Sequence, residues 1–317
     1  MDAIETSTHL VEKWRPEVVH LHSFWLWPIA CVIQEQLGTP LVYTVHSLDR
    51  AEYELGQGPP ECLTQWKVQE AAIRGADRVV ALTGSERELL IQYCPGAFDR
   101  IRIIGNGIDG CTTVHRIMRN TGRSESLMVL YSGRFVERKG VGDLLAAIPL
   151  VPPRVPTAHF VLIGGHRHCS QSEIEHRWLP SALYPYRSHI YFTGWLAPNE
   201  LEEWYRTADI LVVPSRYEPF GMVILEGMLH GLPIVASAIG GPAEILENGR
   251  TGFLFPPRDV DALACAILQL LENPNLRRRI GAVAAREVRN KWLWTHIVEK
   301  MWGVYQEAMQ TRSGMSL

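Results

Sequence analysis

The sequence is short of charge imbalance, cysteine and long apolar runs, and each shortage closes off a class of protein. Its 317 residues carry 31 Lys and Arg against 34 Asp and Glu, a net charge of −3. That excludes a strongly basic nucleic-acid binder and a polybasic membrane anchor. The six cysteines (Cys31, Cys62, Cys94, Cys111, Cys169 and Cys265) are scattered and form no C-x-x-C pair. They read as reduced thiols of a cytoplasmic protein, not as a disulfide framework. The most apolar stretch, residues 24–33, is half of the roughly 20 residues a spanning helix needs, and Pro28 interrupts it. At most peripheral membrane contact is expected. The opening residues, MDAIETSTHLVEKWRPE, lack the basic start and apolar centre of a secretory signal. No glycine-rich turn precedes the first strand pattern.

What is present is ordinary globular composition, 46% hydrophobic and 21% charged. At about 150 residues per domain the length suggests two domains. Apolar runs at 17–21, 41–45, 78–82 and 101–104 predict strands, and after a polar break so do those at 127–132, 159–163, 190–193, 210–213 and 233–236. Most are rich in Val, Ile and Leu on both faces, as strands of a parallel sheet covered on both sides are. Helical patterns lie between them at 26–37, 63–74, 86–93, 142–150 and 259–272, several stopped by glycine or proline. Strands alternating with helices predict an α/β chain of two Rossmann-like, doubly wound domains. The expected division is a first domain at 1–110, a linker at 111–126, a second domain at 127–290 and a last helix from 291 to 317 with Ile297, Met301, Val304 and Tyr305 on one side.

The most informative stretch is SRYEPFGMVILEGMLHGLPIVASAIGGPAEIL, beginning at Ser215. A loop follows the strand at 210–213, and a helix should begin near Met222. The N–H groups of Phe220, Gly221 and Met222 would then stand unpaired at its start, a seat for phosphate or a polar sugar. Gly221 would let a ligand approach the backbone. Glu218 and Glu226 are spaced E-x7-E, and a carboxylate accepts from both hydroxyls of a vicinal diol, as on ribose or a hexose. The turn Ile239-Gly240-Gly241-Pro242 is expected to close over the same pocket.

This block and its flanks resemble the signature of the retaining glycosyltransferases of family 4, which have the GT-B fold. The resemblance continues through Ser132-Gly133-Arg134 with Lys139-Gly140, residues 160–165, Asn106-Gly107-Ile108-Asp109, Val19-His20-Leu21-His22 and Thr44-Val45-His46-Ser47. It implies that Arg134 and Lys139 hold a donor diphosphate, whose growing negative charge two cations would stabilise. It further implies that Glu226 binds the ribose. Glu218 and the backbone of Phe220, Gly221 and Met222 would grip the sugar and phosphate, with His46 near the reacting carbon. The implied activity is transfer of a hexosyl group from a nucleotide sugar to a hydroxyl of a carbohydrate or small-molecule acceptor, with retention. The nucleotide sugar is a co-substrate, and no cofactor or essential metal is expected. The family's first domain opens with a strand and glycine-rich loop, so the resemblance implies a truncated N-terminal domain lacking on the order of 70 residues at about 30 per βα unit. A misassigned start, a separate chain supplying the rest, or a non-catalytic nucleotide-sugar binder each fits that expectation.

Other clusters invite blander readings. His20, His22 and His46 have the residue type of a zinc site, but a polar strand end explains them more simply. His166, His168, Cys169 and His176 lack ligand spacing. Asp259-Val260-Asp261 spells a metal–diphosphate motif, yet it opens a helix, where Asp259 is a natural N-cap. Arg277-Arg278-Arg279 reads as a solvated helix face. Trp25 and Trp27 suit either core or cleft.

Overall fold

The computed structural model describes residues 13–110, 126–165 and 169–313. The expected linker up to residue 125, with Cys111, lies outside the described residues, as do His166 and His168. In chain order the elements are β1 (Val19–Leu21), α1 (Trp27–Leu37), β2 (Leu41–Val45), α2 (Asp49–Glu54), α3 (Glu61–Gly75), β3 (Arg78–Ala81), α4 (Gly84–Tyr93), β4 (Ile101–Ile103), β5 (Leu127–Ser132), α5 (Val141–Ala147), β6 (Ala158–Ile163), α6 (Gln171–Trp178), β7 (Ile190–Gly194), α7 (Pro198–Thr207), β8 (Ile210–Val213), α8 (Met222–Leu229), β9 (Ile234–Ser237), α9 (Gly240–Ile245), β10 (Gly252–Phe255), α10 (Val260–Leu271), α11 (Pro274–Lys291) and α12 (Trp294–Ser313). They form two compact units, Met1–Gly107 with Trp294–Leu317, and Ile108–Leu293.

The first unit holds a four-stranded parallel sheet in the order β1-β2-β3-β4. Its central strands are buried on both faces, with Leu41, Val42, Val45, Val79 and Val80 wholly enclosed. Register is locked at Asp77, whose N–H donates to the Leu41 carbonyl while its carboxylate accepts from the Leu41 N–H, both at 2.8 Å. The last helix, α12, packs on β2 and β3 through the buried side chains Ile297, Val304 and Ala308. Its polar positions are tied down too. Arg78 and Arg102 bond Glu307 at 3.0 and 2.6 Å, and Arg312 reaches Asp77 at 2.8 Å. The structure separates the two tryptophans of 25 and 27: Trp27 packs its indole on Gly75, where a Cβ would lie 2.2 Å from it, whereas Trp25 is exposed.

The second unit has six parallel strands in the order β10-β9-β8-β5-β6-β7. Winding runs outward from β5 through β6 and β7, then restarts at β8 on the other side of β5. The reversal between β5 and β8 is the place where ligands bind in doubly wound sheets, outside the carboxyl ends of the strands. Asp209 repeats the Asp77 device, accepting the Met128 N–H and donating to the Met128 carbonyl, both at 2.9 Å.

Several expectations are corrected. The first strand is Val19–Leu21, shorter than 17–21. The helix expected over 142–150 ends at Ala147 and tightens to a 3-10 turn, Ile148–Leu150, at Pro149, which lacks an N–H. Strand β10 escaped detection because it opens at Gly252 and is four residues long. Arg277 is not on a solvated face: it is 9% exposed and donates to the carbonyls of Leu270 and Leu271 at 2.8 and 2.7 Å, satisfying the last turn of α10. Asp259 does cap α10, accepting the Ala262 N–H at 2.9 Å.

Candidate functional site

In the second unit the loops leaving β5 and β8 are laced together. After β5, the Gly133 N–H donates to the Ile163 carbonyl at 3.0 Å, and the buried Tyr131 hydroxyl donates to the Arg134 carbonyl at 3.0 Å. The turn is thus fixed from beneath while the Arg134 side chain is left exposed. Among the described residues that guanidinium has no ion-pair partner. A 3-10 turn, Glu137–Lys139, then ends at Gly140, whose φ of 67° is left-handed.

That turn grips the loop after β8. The Arg216 N–H donates to the Arg138 carbonyl at 2.8 Å. The Arg216 guanidinium meets the Asp143 carboxylate with both ends of its fork, at 2.9 and 2.6 Å, and Glu137 at 2.7 Å. Lys139 Nζ reaches Glu218 at 2.5 Å, and the Ser215 hydroxyl donates to the same carboxylate oxygen at 3.0 Å. Glu218 is buried, so its charge is compensated by one ammonium and one hydroxyl.

Gly221, with φ 102°, turns the chain into α8, which begins at Met222 as expected. Among the described residues, no oxygen accepts from the N–H groups of Phe220, Gly221 or Met222. Phe220 itself is buried edge-on against Trp292, with ring centres 5.4 Å apart. The turn Gly240-Gly241 follows β9 at the start of α9. It seats on the loop backbone, the Gly241 N–H donating to the Glu218 carbonyl at 3.0 Å.

Glu226 lies one turn into α8 and is half-buried. Its partner was not foreseen: the Tyr205 hydroxyl of α7 donates to Glu226 Oε2 at 2.6 Å. Burial, and then the Glu226 charge, hold the Tyr205 hydroxyl well above its ordinary value, so it stays a donor. The only hint in the sequence is an aromatic residue on an amphipathic helix, which usually means core. Asp143, Ser215 and Arg216 were missed for a similar reason, since polar side chains in or next to loops follow no period.

In the first unit, His46 follows the end of β2. Its Nε2 lies 3.1 Å from His22 Nδ1, and the rings stack at 5.4 Å. His20, on the same strand face as His22, has both nitrogens engaged, by Tyr305 at 2.8 Å and Thr44 at 2.7 Å. With hydroxyls on both sides, His20 is not free to join the other two on a metal. Among the described residues no three His, Cys, Asp or Glu side chains are grouped to hold one.

Burial, with His22 and His46 beside it, pushes His20 down from 6.5 to about 3. The unfolded chain therefore binds a proton at His20 that the folded chain refuses. The stability that depends on neutral His20 is complete above pH 6.5 and is lost as pH falls toward about 3. Asp49 acts in the opposite sense. Burial and then Glu52 hold it up at about 6, so acidification relieves a cost there. The urea midpoint of wild type should accordingly fall further between pH 7.5 and 5 than that of His20→Gln, which keeps hydrogen-bonding atoms without the titration. Equal falls would show that His20 does not couple to folding.

Residues 115–287 match the family described as Glycosyl transferases group 1, and residues 2–110 match Glycosyltransferase Family 4. Glycogen synthase of Mycobacterium tuberculosis is 29% identical over 299 residues, 93% of this chain and 70% of that protein. D-inositol 3-phosphate glycosyltransferase of Acidothermus cellulolyticus is 30% identical over 311 residues, 93% of this chain and 68% of its own length. Sucrose-phosphate synthase from Thermosynechococcus elongatus superimposes with a TM-score of 0.83 at 27% identity, over 97% of this chain and 77% of that one. Anabaena HepE, solved with UDP and glucose, gives 0.78 at 22% identity, over 95% of this chain and 80% of its own, a likeness of fold. No helix among the described residues is long and apolar enough to cross a membrane. The motifs, the two parallel-sheet units and these matches agree: the chain belongs to the glycosyl transferases group 1 family and is a glycosyltransferase of the GT-B fold.

Proposed function

We propose that the chain transfers a hexosyl group from a nucleoside-diphosphate sugar to an acceptor hydroxyl with retention of configuration. The observation that carries this is the lacing of the β5 and β8 loops at the reversal of strand order. It gathers an exposed guanidinium, an ammonium, two carboxylates and a run of unengaged backbone N–H groups. Arg134 and Lys139 would take the diphosphate, and the N–H groups at the start of α8 would add donors to it. Glu226 would accept from the ribose hydroxyls and Glu218 from those of the sugar. With two cations assigned to the leaving diphosphate, the reading requires no metal ion. His46 is assigned to the transfer step and not to donor affinity.

Calorimetric titration with UDP-glucose and ADP-glucose tests the assignment. Glu226→Ala and Arg134→Ala should each weaken the donor that wild type binds by about ten-fold, the size of one lost charged hydrogen bond. Unchanged affinity in both variants would remove the site. A second reading is favoured by the confinement of every donor residue to the second unit. On that reading the chain binds nucleotide sugar without transferring it alone, or serves as one subunit of a split enzyme. A separate chain would then pair with the side of β1 left open, since among the described residues β1 pairs only with β2. Purified protein that binds donor but neither transfers nor hydrolyses it would favour this reading over the first.

A further inference from the structure

We infer that Tyr205 is a positioning residue that sets the ribose-binding geometry of Glu226, an inference that rests on the assignment of Glu226 to the ribose. A glutamate on a helix has three rotatable side-chain bonds, and one that is only half-buried has room to swing. To accept from two neighbouring hydroxyls its carboxylate must be held in one plane, and holding it in advance reduces the entropy lost on binding.

Tyr205 is built to do this. The residue is 3% exposed, and its ring is stacked on His230 with centres 5.3 Å apart and planes 21° apart. His230 is in turn fixed by a 2.8 Å bond between its Nδ1 and the Glu226 carbonyl. The phenol therefore has one position, and its hydroxyl occupies Glu226 Oε2 at 2.6 Å. The phenolic proton is thereby directed to the glutamate. A tyrosine that served packing alone would not need to direct its hydroxyl at a carboxylate in a dry site.

The experiment compares UDP and ADP with their 2′,3′-dideoxy analogues by calorimetry, on wild type, Tyr205→Phe and Glu226→Ala. Tyr205→Phe keeps the ring and the stack but removes the bond. It should weaken the ribonucleotide about five-fold and leave the dideoxy nucleotide unchanged, because an unanchored Glu226 costs only a ligand that uses it. Thermal unfolding of Tyr205→Phe without nucleotide checks that the variant is folded, and the ribo-to-dideoxy ratio does not depend on the fraction that is. Equal weakening of ribo and dideoxy nucleotides would mark a general structural role and overturn the inference. So would an unchanged ribo-to-dideoxy ratio in Tyr205→Phe beside a reduced one in Glu226→Ala, and that result leaves the ribose assignment standing. An unchanged ratio in Glu226→Ala would remove the ribose assignment itself, and the role of Tyr205 with it.

Discussion

Replacing Lys139 with methionine is expected to lower kcat/KM for glycosyl transfer by about a hundred-fold or more, the scale seen when one group stabilising transition-state charge is removed. It should also destabilise the fold. Lys139 Nζ is 2.5 Å from Glu218, and the two side chains are only 20% and 10% exposed. Breaking such a pair from one side leaves a buried carboxylate served by Ser215 alone, at a cost of about 3–5 kcal/mol. The two effects separate in the double variant Lys139→Met with Glu218→Gln. Stability should return, because no buried charge is stranded, while activity stays lost. Recovery of activity along with stability would show that Lys139 serves the fold and not the diphosphate. Thermal unfolding and initial rates on the same preparations decide it.

The second large effect concerns the backbone that holds Lys139 in place. Gly140→Ala should cost about 2–5 kcal/mol, combining left-handed strain with overpacking. At φ 67° an added Cβ would stand 1.8 Å from the Pro214 carbonyl oxygen. That oxygen belongs to the loop after β8, so relief of the clash must pull apart the two loops that Arg216 and Asp143 tie together. Gly142, two residues on, is the control. It has ordinary helical φ and nothing within 4 Å of its Cβ position, so Gly142→Ala should stabilise α5 by up to about 1 kcal/mol. Calorimetric melting of the two variants should move Tm in opposite directions. Similar shifts would mean that the loop contact at Gly140 gives way without cost.

The alternation of strands and helices was legible because parallel strands buried on both faces are continuous apolar runs. Leu127–Ser132 and Ile210–Val213 begin and end where the residues predict. The loop after β8 was legible for a different reason. Gly221 stands where a left-handed residue must precede α8, and Glu218 and Glu226 flank it at fixed spacing. Pairing was the part that could not be read. Lys139 and Glu218 are 79 positions apart, and Tyr205 and Glu226 are 21 apart on separate helices, so nothing local joins them. Arg277 taught the same lesson in reverse. Its position in a run of three arginines predicts solvent, but the carbonyls at the end of the preceding helix need donors and take it inside.

The membership of α12 in the first unit has a consequence for how the chain acquires its structure. Tyr305 and His20 are bonded across 285 positions, and Arg78 and Glu307 across 229. During synthesis, residues 108–293 form a continuous stretch that contains its whole six-stranded sheet, so that unit can complete itself as it emerges. The earlier-made unit cannot. Its β2 and β3 wait for α12 to cover them, and closing so long a loop is entropically slow. Of the two units, the one made earlier is therefore the later to finish folding. Until then its apolar sheet face is the segment most exposed to aggregation or to capture by a chaperone.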